Sequence, residues 1–166
     1  MRHGLSELNI KGLYAGSTDT SLVDEGREQA RQAGQTAKSL SIDLIVSSPL
    51  SRALETAQIV AKEIGYTPEK IVIDNRITER YFGRLEAQPY AKTHTDEFRL
   101  KHGAENQESL LKRTKQFLEW LEAQPADNIL VVSHGSTGRA LRSLVKEDFP
   151  FSHPHQLGNA KLYQWL

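Results

Sequence analysis

The fold class is decided by the stretch NILVVS at residues 128–133, which is followed directly by His134 and Gly135. A short, almost continuous apolar run of this kind is typical of a β-strand that is buried on both faces. A second run, IDLIVS at residues 42–47, has the same character and ends at Ser48-Pro49. Strands that are apolar on both faces need helices on both sides of their sheet, so the sequence predicts an α/β protein.

Segments with helical spacing alternate with these strands. Helices are predicted over residues 21–40, 50–64, 108–122 and 137–146, and further strands over residues 71–73 and 161–166. Ser21 is the expected N-cap of the first helix, because acidic residues follow it in the first turn. Strands separated by helices pair in parallel, so we expect a three-layer α/β/α sandwich with a mostly parallel central sheet. The polar segment 83–107 has weak periodicity and is interpreted as a small, partly helical cap segment within one domain, residues 1–166.

Composition limits the chemistry that is open to this chain. Its 166 residues suit one domain, and Lys+Arg and Asp+Glu number 21 each, so the formal net charge is zero. A general nucleic-acid or membrane-surface binder would carry an excess of basic residues, so neither partner is expected. The chain contains no cysteine, which excludes disulfides, cysteine nucleophiles and Cys–zinc sites. No signal peptide or transmembrane run is found, and a cytoplasmic location is predicted; the oligomeric state is left open.

Candidate functional residues follow the predicted strands or stand near the start of the chain. Two His-Gly pairs occur, at His3-Gly4 and at His134-Gly135, while Arg52 follows the strand at 42–47 and Glu79 the strand at 71–73. Ligands of parallel sheets collect at the carboxyl ends of the strands, which makes these side chains candidates for one site. Arg52 opens a helix, where a cation opposes the helix dipole and a bound anion would offset this. Taken singly, each residue has an ordinary alternative: a hydrogen-bonded histidine, an exposed arginine or a loop carboxylate.

Seven short motifs, taken together, resemble the histidine phosphatase superfamily, also called the phosphoglycerate mutase-like family. They occur in the family's order across most of the chain: RHG at 2–4 with Asn9, G..D..L...G..QA at 16–30, SSPLSRALETA at 47–57, E...G..E at 79–86, GAENQESLLKR at 103–113, VVSHG at 131–135 and LGNA at 157–160. Ala87 replaces a family glycine, and Asn106 replaces a family serine. RHG alone is a weak signal, whereas RHG, SSPLxRAxxTA and VSHG in this order and on strand ends are specific.

The resemblance implies a role for each candidate. His3 would be the nucleophile that carries a phosphoryl group as phosphohistidine, and His134 would assist the transfer. Glu79 would protonate the leaving group and then activate a water molecule. Cations and donors fixed around the phosphorus stabilise the transition state. The residues implied to bind the phosphoryl oxygens in this way are Arg2, Asn9 and Arg52.

Residues in and before the cap segment are candidate substrate contacts. Arg80 and Tyr81 directly follow Glu79, and three further basic residues, Lys92, Arg99 and Lys101, lie later in the segment. An exposed loop face is the ordinary alternative for each of them. The resemblance implies a phosphorylated small molecule as the partner. It implies neither a metal nor another cofactor, because arginines and His134 would supply the electrostatic stabilisation.

Three functions are weighed on this basis. The favoured one is a metal-independent phosphatase that hydrolyses small-molecule phosphomonoesters through phosphohistidine. The alternatives are a phosphoglycerate mutase-type phosphomutase and a non-catalytic phosphate-binding relative. The resemblance implies that a mutase of this family would be a longer chain, with an insertion after the segment of the general acid and a lysine shortly after the glycine that matches Gly83. In this chain residues 79–105 leave little room for such an insertion, and residues 84–90 contain no lysine.

The amino terminus departs from the family pattern. In the family a strand of apolar residues leads into RHG, whereas only Met1 and Arg2 precede His3, so the first family strand is expected to be missing. Three interpretations are open: a shortened version of a normal enzyme, which we favour; first residues fixed by phosphate contacts; or a non-catalytic relative. If the chain is complete, reduced stability and activity are expected, since a chain terminus is mobile unless it is tied down. Normal activity together with an ordered His3 would contradict that expectation.

Overall fold

Six α-helices and three β-strands form in the part of the chain that the structure, a computed structural model, describes, which is residues 1–165. In chain order they are α1 (Glu7–Ile10), α2 (Asp24–Ala37), β1 (Leu44–Ser47), α3 (Ser51–Ile64), β2 (Val72–Ile73), α4 (Asp96–Lys101), α5 (Gln107–Glu122), β3 (Ile129–Val132) and α6 (Gly135–Val145). Within residues 1–165, no helix combines the length and the apolar character needed to cross a membrane.

The three strands form one parallel sheet in the order β2-β1-β3. Val46 of β1 pairs with Val72 on one side and with Val131 on the other. Parallel strands need crossover connections, and here α3 and the helices after β2 provide them. The predicted α/β class with a parallel sheet is confirmed.

The sheet is the middle of three layers. Successive residues of a strand point to opposite faces, so Ile45 and Val46 pack into different cores. Ile45 joins a cluster with the alanine-rich faces of α2 and α3, whereas Val46 packs with Phe117 of α5 and Leu141 of α6. This arrangement is the predicted three-layer α/β/α sandwich, and it presents the carboxyl ends of β1 and β3 side by side.

The first three residues lie alongside β3. The Met1 nitrogen donates to the Val131 carbonyl at 2.7 Å, the Ser133 N–H donates to Met1 at 2.9 Å, and the His3 N–H donates to Ser133 at 2.9 Å. Arg2 forms parallel bridges to Ser133 on one side and to Asn159 on the other. Backbone hydrogen bonds therefore fix this segment, and His3 lies next to the residues that follow β3.

Two predictions about single elements are wrong, one on a helix start and one on a terminal strand. The helix predicted over 21–40 begins at Asp24 with Val23 as its N-cap, not Ser21. Residues 21–23 are extended instead, because the Glu7 N–H donates to Ser21 at 3.1 Å and the Val23 N–H donates to Leu5 at 3.1 Å. The terminal strand predicted over 161–166 does not form in residues 161–165, since the strand-like pairing occurs earlier, at residues 159–160; position 166 lies outside the described residues.

The predicted cap segment, residues 83–107, is partly helical. It contains a 3₁₀ turn at Gly83–Leu85 and the short helix α4, and α5 begins at its end. Leu85 and Ala104 of this segment form a small buried cluster with Tyr14 and Phe82, separate from the two main cores. Gly83 has φ +59°, and a side chain there would collide with the backbone of residues 102–103, so glycine is required at this turn.

Candidate active site

His3 is buried at the carboxyl edge of the sheet, with 3% of its surface exposed. Its Nδ1 lies 2.7 Å from the carbonyl oxygen of Gly4. A carbonyl can only accept, so Nδ1 carries the proton and Nε2 of the neutral ring keeps its lone pair. Arg52 donates its Nε–H to that Nε2 atom at 3.2 Å. The geometry therefore fixes the tautomer in which Nε2 carries the lone pair and Nδ1 the proton.

Arg52 is fully buried in the first turn of α3. Its Nη1 and Nη2 donate to the carbonyl oxygens of Thr18 at 2.9 Å and Gly16 at 2.7 Å. The carboxylate of Asp19 accepts the Ser51 N–H at 2.8 Å and thus caps the same helix end. Burial lowers the pKa of Arg52, and the charges of Glu79 and Asp19 oppose that shift. The guanidinium is held rigidly, with its Nε–H directed at His3.

His134 is fully buried between the end of β3 and the start of α6. Its Nε2 lies 2.8 Å from the Ser48 hydroxyl, which follows β1. Its Nδ1 is buried and has no hydrogen-bond partner among residues 1–165. The two imidazole rings meet edge to face, with 5.2 Å between the centroids of His3 and His134.

Both histidines are neutral at ordinary pH. Burial, followed by the charges of Arg52 and Arg2, holds the pKa of His3 well below its ordinary value of 6.5. Burial, followed by Arg52, His3 and Arg2, does the same to the pKa of His134. A ring that stays neutral keeps the lone pair that a nucleophile or an acceptor needs.

Glu79 lies at the amino end of α6. Its Oε1 accepts the backbone N–H groups of Arg80 at 2.8 Å, Ser136 at 3.1 Å and Thr137 at 3.0 Å, and also the Thr137 hydroxyl at 3.3 Å. Its Oε2 accepts from Ser136 alone among the described residues, at 3.1 Å. The amino end of a helix attracts a carboxylate, because its N–H groups are unpaired and its dipole is positive there. Oε1 is thus saturated, and Oε2 is the oxygen that remains available.

Arg2 and Gly135 border the same space as Glu79. A β-carbon placed on Gly135 would lie 3.6 Å from Oε2 of Glu79 and 3.8 Å from Nε of Arg2. The Arg2 Nη1 donates to the Leu157 carbonyl at 3.1 Å, while its Nε is buried without a partner among residues 1–165. Burial lowers the pKa of Arg2, and the charge of Glu79 opposes this. Oε2 of Glu79 and Nε of Arg2 therefore both border the open space beside Gly135.

The family model named "Histidine phosphatase superfamily (branch 1)" matches residues 1–165. The chain belongs to this family. It is 33% identical over 157 residues to "Putative phosphoserine phosphatase 2" of Hydrogenobacter thermophilus, which covers 87% of this chain and 76% of the relative. It is equally 33% identical over 169 residues to a 2,3-bisphosphoglycerate-dependent phosphoglycerate mutase of Parvibaculum lavamentivorans, covering 89% of this chain and 77% of that protein.

Solved structures of phosphatases show the same fold. A mycobacterial glucosyl-3-phosphoglycerate phosphatase in complex with VO3 superposes with a TM-score of 0.80 at 25% identity, over 96% of this chain and 85% of the other. A mutant phosphoserine phosphatase from Entamoeba histolytica in complex with phosphoserine gives a TM-score of 0.77 at 27% identity, over 96% and 84% of the two chains. Structural relatives of this histidine phosphatase family member thus bind phosphorylated small molecules.

Asn9, a predicted phosphate ligand, is connected to His3 by Asn159, whose role the sequence did not reveal. The Asn159 side chain donates to the His3 carbonyl at 2.9 Å and to Asn9 Oδ1 at 3.4 Å. The Ser6 N–H also donates to that oxygen, at 3.4 Å. The Asn9 oxygen is therefore used within the protein, and its NH₂ group is the part that can donate to a ligand. Asn159 lies in the LGNA motif, which was the available signal.

Arg113 of α5 holds the segment that leads into Glu79, a role that sequence reasoning also missed. Its Nη1 donates to the carbonyls of Arg76 at 2.6 Å and Thr78 at 2.8 Å, and its Nε pairs with Glu105 at 2.8 Å. The Ser133 hydroxyl donates to Ile77 at 2.9 Å and ties the same segment to β3. Arg113 closes the GAENQESLLKR motif, and its position in that motif was the signal.

Arg80 and Tyr81 lie differently from each other. Arg80 is 2% exposed, its Nη2 pairs with Asp96 of α4 at 2.8 Å, and its Nε donates to the Glu105 carbonyl at 2.8 Å. Its guanidinium therefore ties the cap segment to the loop of Glu79. Tyr81 is 49% exposed and is the one of the two that solvent reaches. The other basic candidates are Lys92, half-buried Arg99 and exposed Lys101, which pairs with Glu97 at 2.9 Å.

Proposed function

We propose that the protein is a phosphatase that hydrolyses small-molecule phosphomonoesters through a phosphohistidine intermediate. The observation that carries this is the buried, neutral imidazole of His3, whose Nε2 lone pair faces the Nε–H of Arg52 at 3.2 Å. A lone pair in contact with a fixed cation suits attack on an anionic phosphoryl group, because the same cation receives the phosphoryl oxygens.

In the first step, His3 Nε2 attacks the phosphorus of the bound monoester. The N–P bond forms as the ester P–O bond breaks, and the Nδ1–H hydrogen bond to Gly4 stabilises the positive charge that develops on the ring. Arg52 and Arg2 neutralise the equatorial oxygens, on which the transition-state charge is spread. Glu79 delivers a proton from Oε2 to the departing alkoxide, since the N–H groups of Arg80 and of the start of α6 saturate Oε1.

In the second step, water replaces the alcohol. Glu79, now a carboxylate, takes a proton from the water as its oxygen attacks the phosphorus of the phosphohistidine. The N–P bond breaks, inorganic phosphate leaves, and His3 returns to its neutral form. The electrostatic stabilisation comes from Arg2, Arg52 and the buried His134, so no step calls for a metal ion.

A phosphatase is favoured over the two alternatives on different grounds. A mutase must retain and reorient a bisphosphate, which calls for additional cations, and the segment after Gly83 offers Arg84 alone before residue 92. Arg84 is exposed and donates to the Lys101 carbonyl at 3.0 Å. A non-catalytic binder would have no use for the carboxylate of Glu79, in which four hydrogen-bond donors hold Oε1 and only one, the Ser136 N–H, reaches Oε2 among the described residues.

The substrate that we propose carries a second anionic group on its alcohol part. Arg99 of α4 and Arg139 of α6 each have a buried Nε–H without a hydrogen-bond partner among residues 1–165. Burial lowers the pKa of Arg139, while the charge of Glu79 opposes that shift and the charge of Arg99 adds to it. The relatives named for phosphoserine and phosphoglycerate act on substrates with a carboxylate, which agrees with this chemistry.

The phosphatase proposal is tested by phosphate release from a panel of monoesters in the presence of EDTA. Wild-type protein is compared with His3→Ala, with Glu79→Gln, and with His153→Ala as a control in a loop outside the site. We expect turnover in wild type and in the control, none in His3→Ala, and a loss of about 10²–10⁴-fold in Glu79→Gln. Equal turnover in wild type and His3→Ala would refute the proposal, and activity that EDTA abolishes would refute the metal-free mechanism.

The substrate proposal is tested by comparing phosphoserine with phosphoethanolamine, which differ by one carboxylate. Arg99→Gln is expected to raise KM for phosphoserine by about tenfold and to leave that for phosphoethanolamine unchanged. Lys101→Gln, on the same short helix, serves as the matched control. Equal effects of Arg99→Gln on both substrates would contradict the proposal.

A further inference from the structure

Glu86 makes an unusually large number of hydrogen bonds for a carboxylate that the proposed mechanism does not use. It follows the 3₁₀ turn at Gly83–Leu85 and is half-buried. It accepts the backbone N–H groups of Ser17 at 2.8 Å, Thr18 at 2.8 Å and Phe82 at 3.1 Å. It also accepts the hydroxyls of Thr18 at 2.5 Å and Ser17 at 3.1 Å. The carboxylate thus gathers donors from two separate segments of the chain.

The loop that Glu86 holds is the loop that holds Arg52. The Gly16 carbonyl accepts from Nη2 of Arg52, and the Thr18 carbonyl accepts from Nη1. Among residues 1–165 these two carbonyls are the acceptors of the Arg52 Nη atoms. No carboxylate is hydrogen-bonded to Arg52 in that part of the chain, so its orientation depends on the loop.

One peptide unit connects the two sides. The Ser17 N–H that reaches Glu86 and the Gly16 C=O that reaches Arg52 belong to the same planar group, in which they point in opposite directions. Fixing the N–H therefore fixes the C=O, and a carboxylate at one end makes the oxygen at the other end a stronger acceptor. Gly16 has φ +53°, and a β-carbon there would collide with the Glu86 carboxylate, so the carboxylate packs directly on this unit.

We infer that Glu86 is a positioning residue for Arg52, and through it for the phosphoryl site. The inference rests on the proposed function only in one respect, namely that the group bound by Arg52 is a phosphoryl group. With Glu86 in place, the guanidinium has its Nη atoms anchored and presents its Nε–H to His3 Nε2. Without it, the loop and the guanidinium lose their fixed orientation, and a displacement of about 1 Å in such a site costs roughly 10²-fold in rate.

Glutamine cannot replace this carboxylate. All the groups that reach Glu86 from the loop are donors, and the NH₂ group of a glutamine would face them with a donor of its own. Glu86→Gln is therefore expected to weaken the binding of inorganic phosphate by about 10–100-fold, although it keeps the shape of the side chain. Glu55→Gln is the matched control, because Glu55 is also a partly exposed carboxylate that bridges two segments, through Arg27 at 2.6 Å.

A double-mutant cycle separates positioning from a general loss of structure. Lysine at position 52 has no fork for the loop to orient, so Glu86→Gln should cost less than about threefold in phosphate affinity in the Arg52→Lys background. The ¹⁵N signal of the Arg52 Nε, assigned by its disappearance in Arg52→Lys, should move in Glu86→Gln and stay in place in Glu55→Gln. Equal affinity losses in both backgrounds, or an unmoved Arg52 signal, would overturn the inference.

A second variant, Glu86→Asp, and readouts that do not need turnover complete this test. If Glu86→Gln does not fold, Glu86→Asp withdraws the carboxylate by roughly 1.5 Å from the Ser17 N–H and keeps the charge. A shift of the Arg52 signal with weakened phosphate binding supports the inference, and wild-type values for both overturn it. Phosphate binding and the Arg52 signal do not need turnover, so a protein that binds phosphate but hydrolyses no monoester would refute the proposed function and leave this inference to its own result.

Discussion

The two His-Gly pairs occupy neighbouring positions, yet the protein treats them differently. His3 donates Nδ1–H to the carbonyl of the glycine that follows it, and its Nε2 faces a cation. His134 places Nε2 against the Ser48 hydroxyl and leaves a buried Nδ1 without a partner in residues 1–165. Identical dipeptides, one after β3 and one in the segment that lies alongside it, thus make different hydrogen bonds with their ring nitrogens. The surrounding hydrogen bonds, rather than the motif, set the environment of each ring.

The glycines of the two pairs differ as well. A β-carbon on Gly4 would collide with the Gly26 carbonyl oxygen and lie 2.9 Å from its carbon, so Gly4 allows α2 to approach the backbone. A β-carbon on Gly135 would meet no atom closer than 3.6 Å, and the nearest ones belong to Glu79 and Arg2. The first glycine serves packing, whereas the second leaves room beside the charged groups of the site.

The largest expected difference between the pairs lies in turnover. His3→Ala should lower kcat by about 10⁴-fold or more, because the step that forms the N–P bond is lost. His134→Ala should lower it by about 10²–10³-fold, as expected for the loss of one stabilising donor. Trapping with a radiolabelled monoester checks this: His134→Ala should still become labelled, and His3→Ala should not. Label on His3→Ala would assign the nucleophile to another residue.

The shared burial of the two rings predicts a strong loss of stability in acid. The folded pKa of each lies well below the ordinary 6.5. Below pH 6.5 the unfolded chain therefore binds more protons than the folded protein. The free energy of unfolding is unaffected by these rings above that pH and decreases as the pH falls below it. Well below pH 6.5 the slope from each ring approaches about 1.4 kcal/mol per pH unit, and that from the pair about 2.7. Urea unfolding between about pH 7.5 and 5 measures it.

A matched variant gives this prediction its control. His134→Asn removes one of the two rings, so the slope of unfolding free energy against pH should fall by about half. His155→Asn, in the loop after α6, should leave the slope close to wild type. A slope that both variants leave unchanged would mean that the buried rings do not govern acid stability.

The next largest expected difference lies between alanine substitutions at Gly4 and Gly135, of which the first should affect mainly stability and the second mainly activity. Gly4→Ala should lower the free energy of unfolding by about 1–3 kcal/mol, because a methyl group is forced against backbone. Gly135→Ala should change it by less than about 0.5 kcal/mol, yet lower kcat/KM by about tenfold, since its methyl group enters the space between Glu79 and Arg2. Chemical denaturation and steady-state kinetics on both variants measure the two effects. A destabilised but fully active Gly135→Ala would reverse the interpretation.

The smallest effect concerns the partner of the second ring. Ser48→Ala removes the hydroxyl that lies 2.8 Å from His134 Nε2, at a cost of about 1 kcal/mol, or roughly fivefold in kcat/KM. The ¹⁵N signals of His134 should change, while those of His3 stay as they are. Ser143→Ala removes a hydroxyl that binds within α6 and should alter neither the kinetics nor these signals.

The sequence predicted best what local pattern determines. The strands before Ser48 and His134 are continuous apolar runs, and the helix after Ser48 has a clear apolar face, so the relative placement of Arg52 and His134 followed from ordinary α/β rules. Their predicted chemical roles, like that of Glu79, stay predictions until they are tested.

Long-range hydrogen bonds account for what the sequence did not predict. Ser21 looks like an N-cap locally, but its carbonyl accepts from Glu7, and this keeps the chain extended as far as Val23. The contacts of Asn159 with His3 and of Glu86 with the loop at 16–18 join residues 68 or more positions apart. No periodicity records such pairings, because each depends on where two distant segments meet.

The bridges of Arg2 to Ser133 and Asn159 have a consequence for the order of folding. They close loops of more than 100 residues, as the Met1 to Val131 bond with its separation of 130 shows. Closing such a loop lowers the entropy of the chain before the contact stabilises it, so these pairings form slowly compared with the local helices. On refolding, the far-ultraviolet helix signal should therefore recover first. Phosphate binding should recover later, when the first residues have paired with residues 133 and 159.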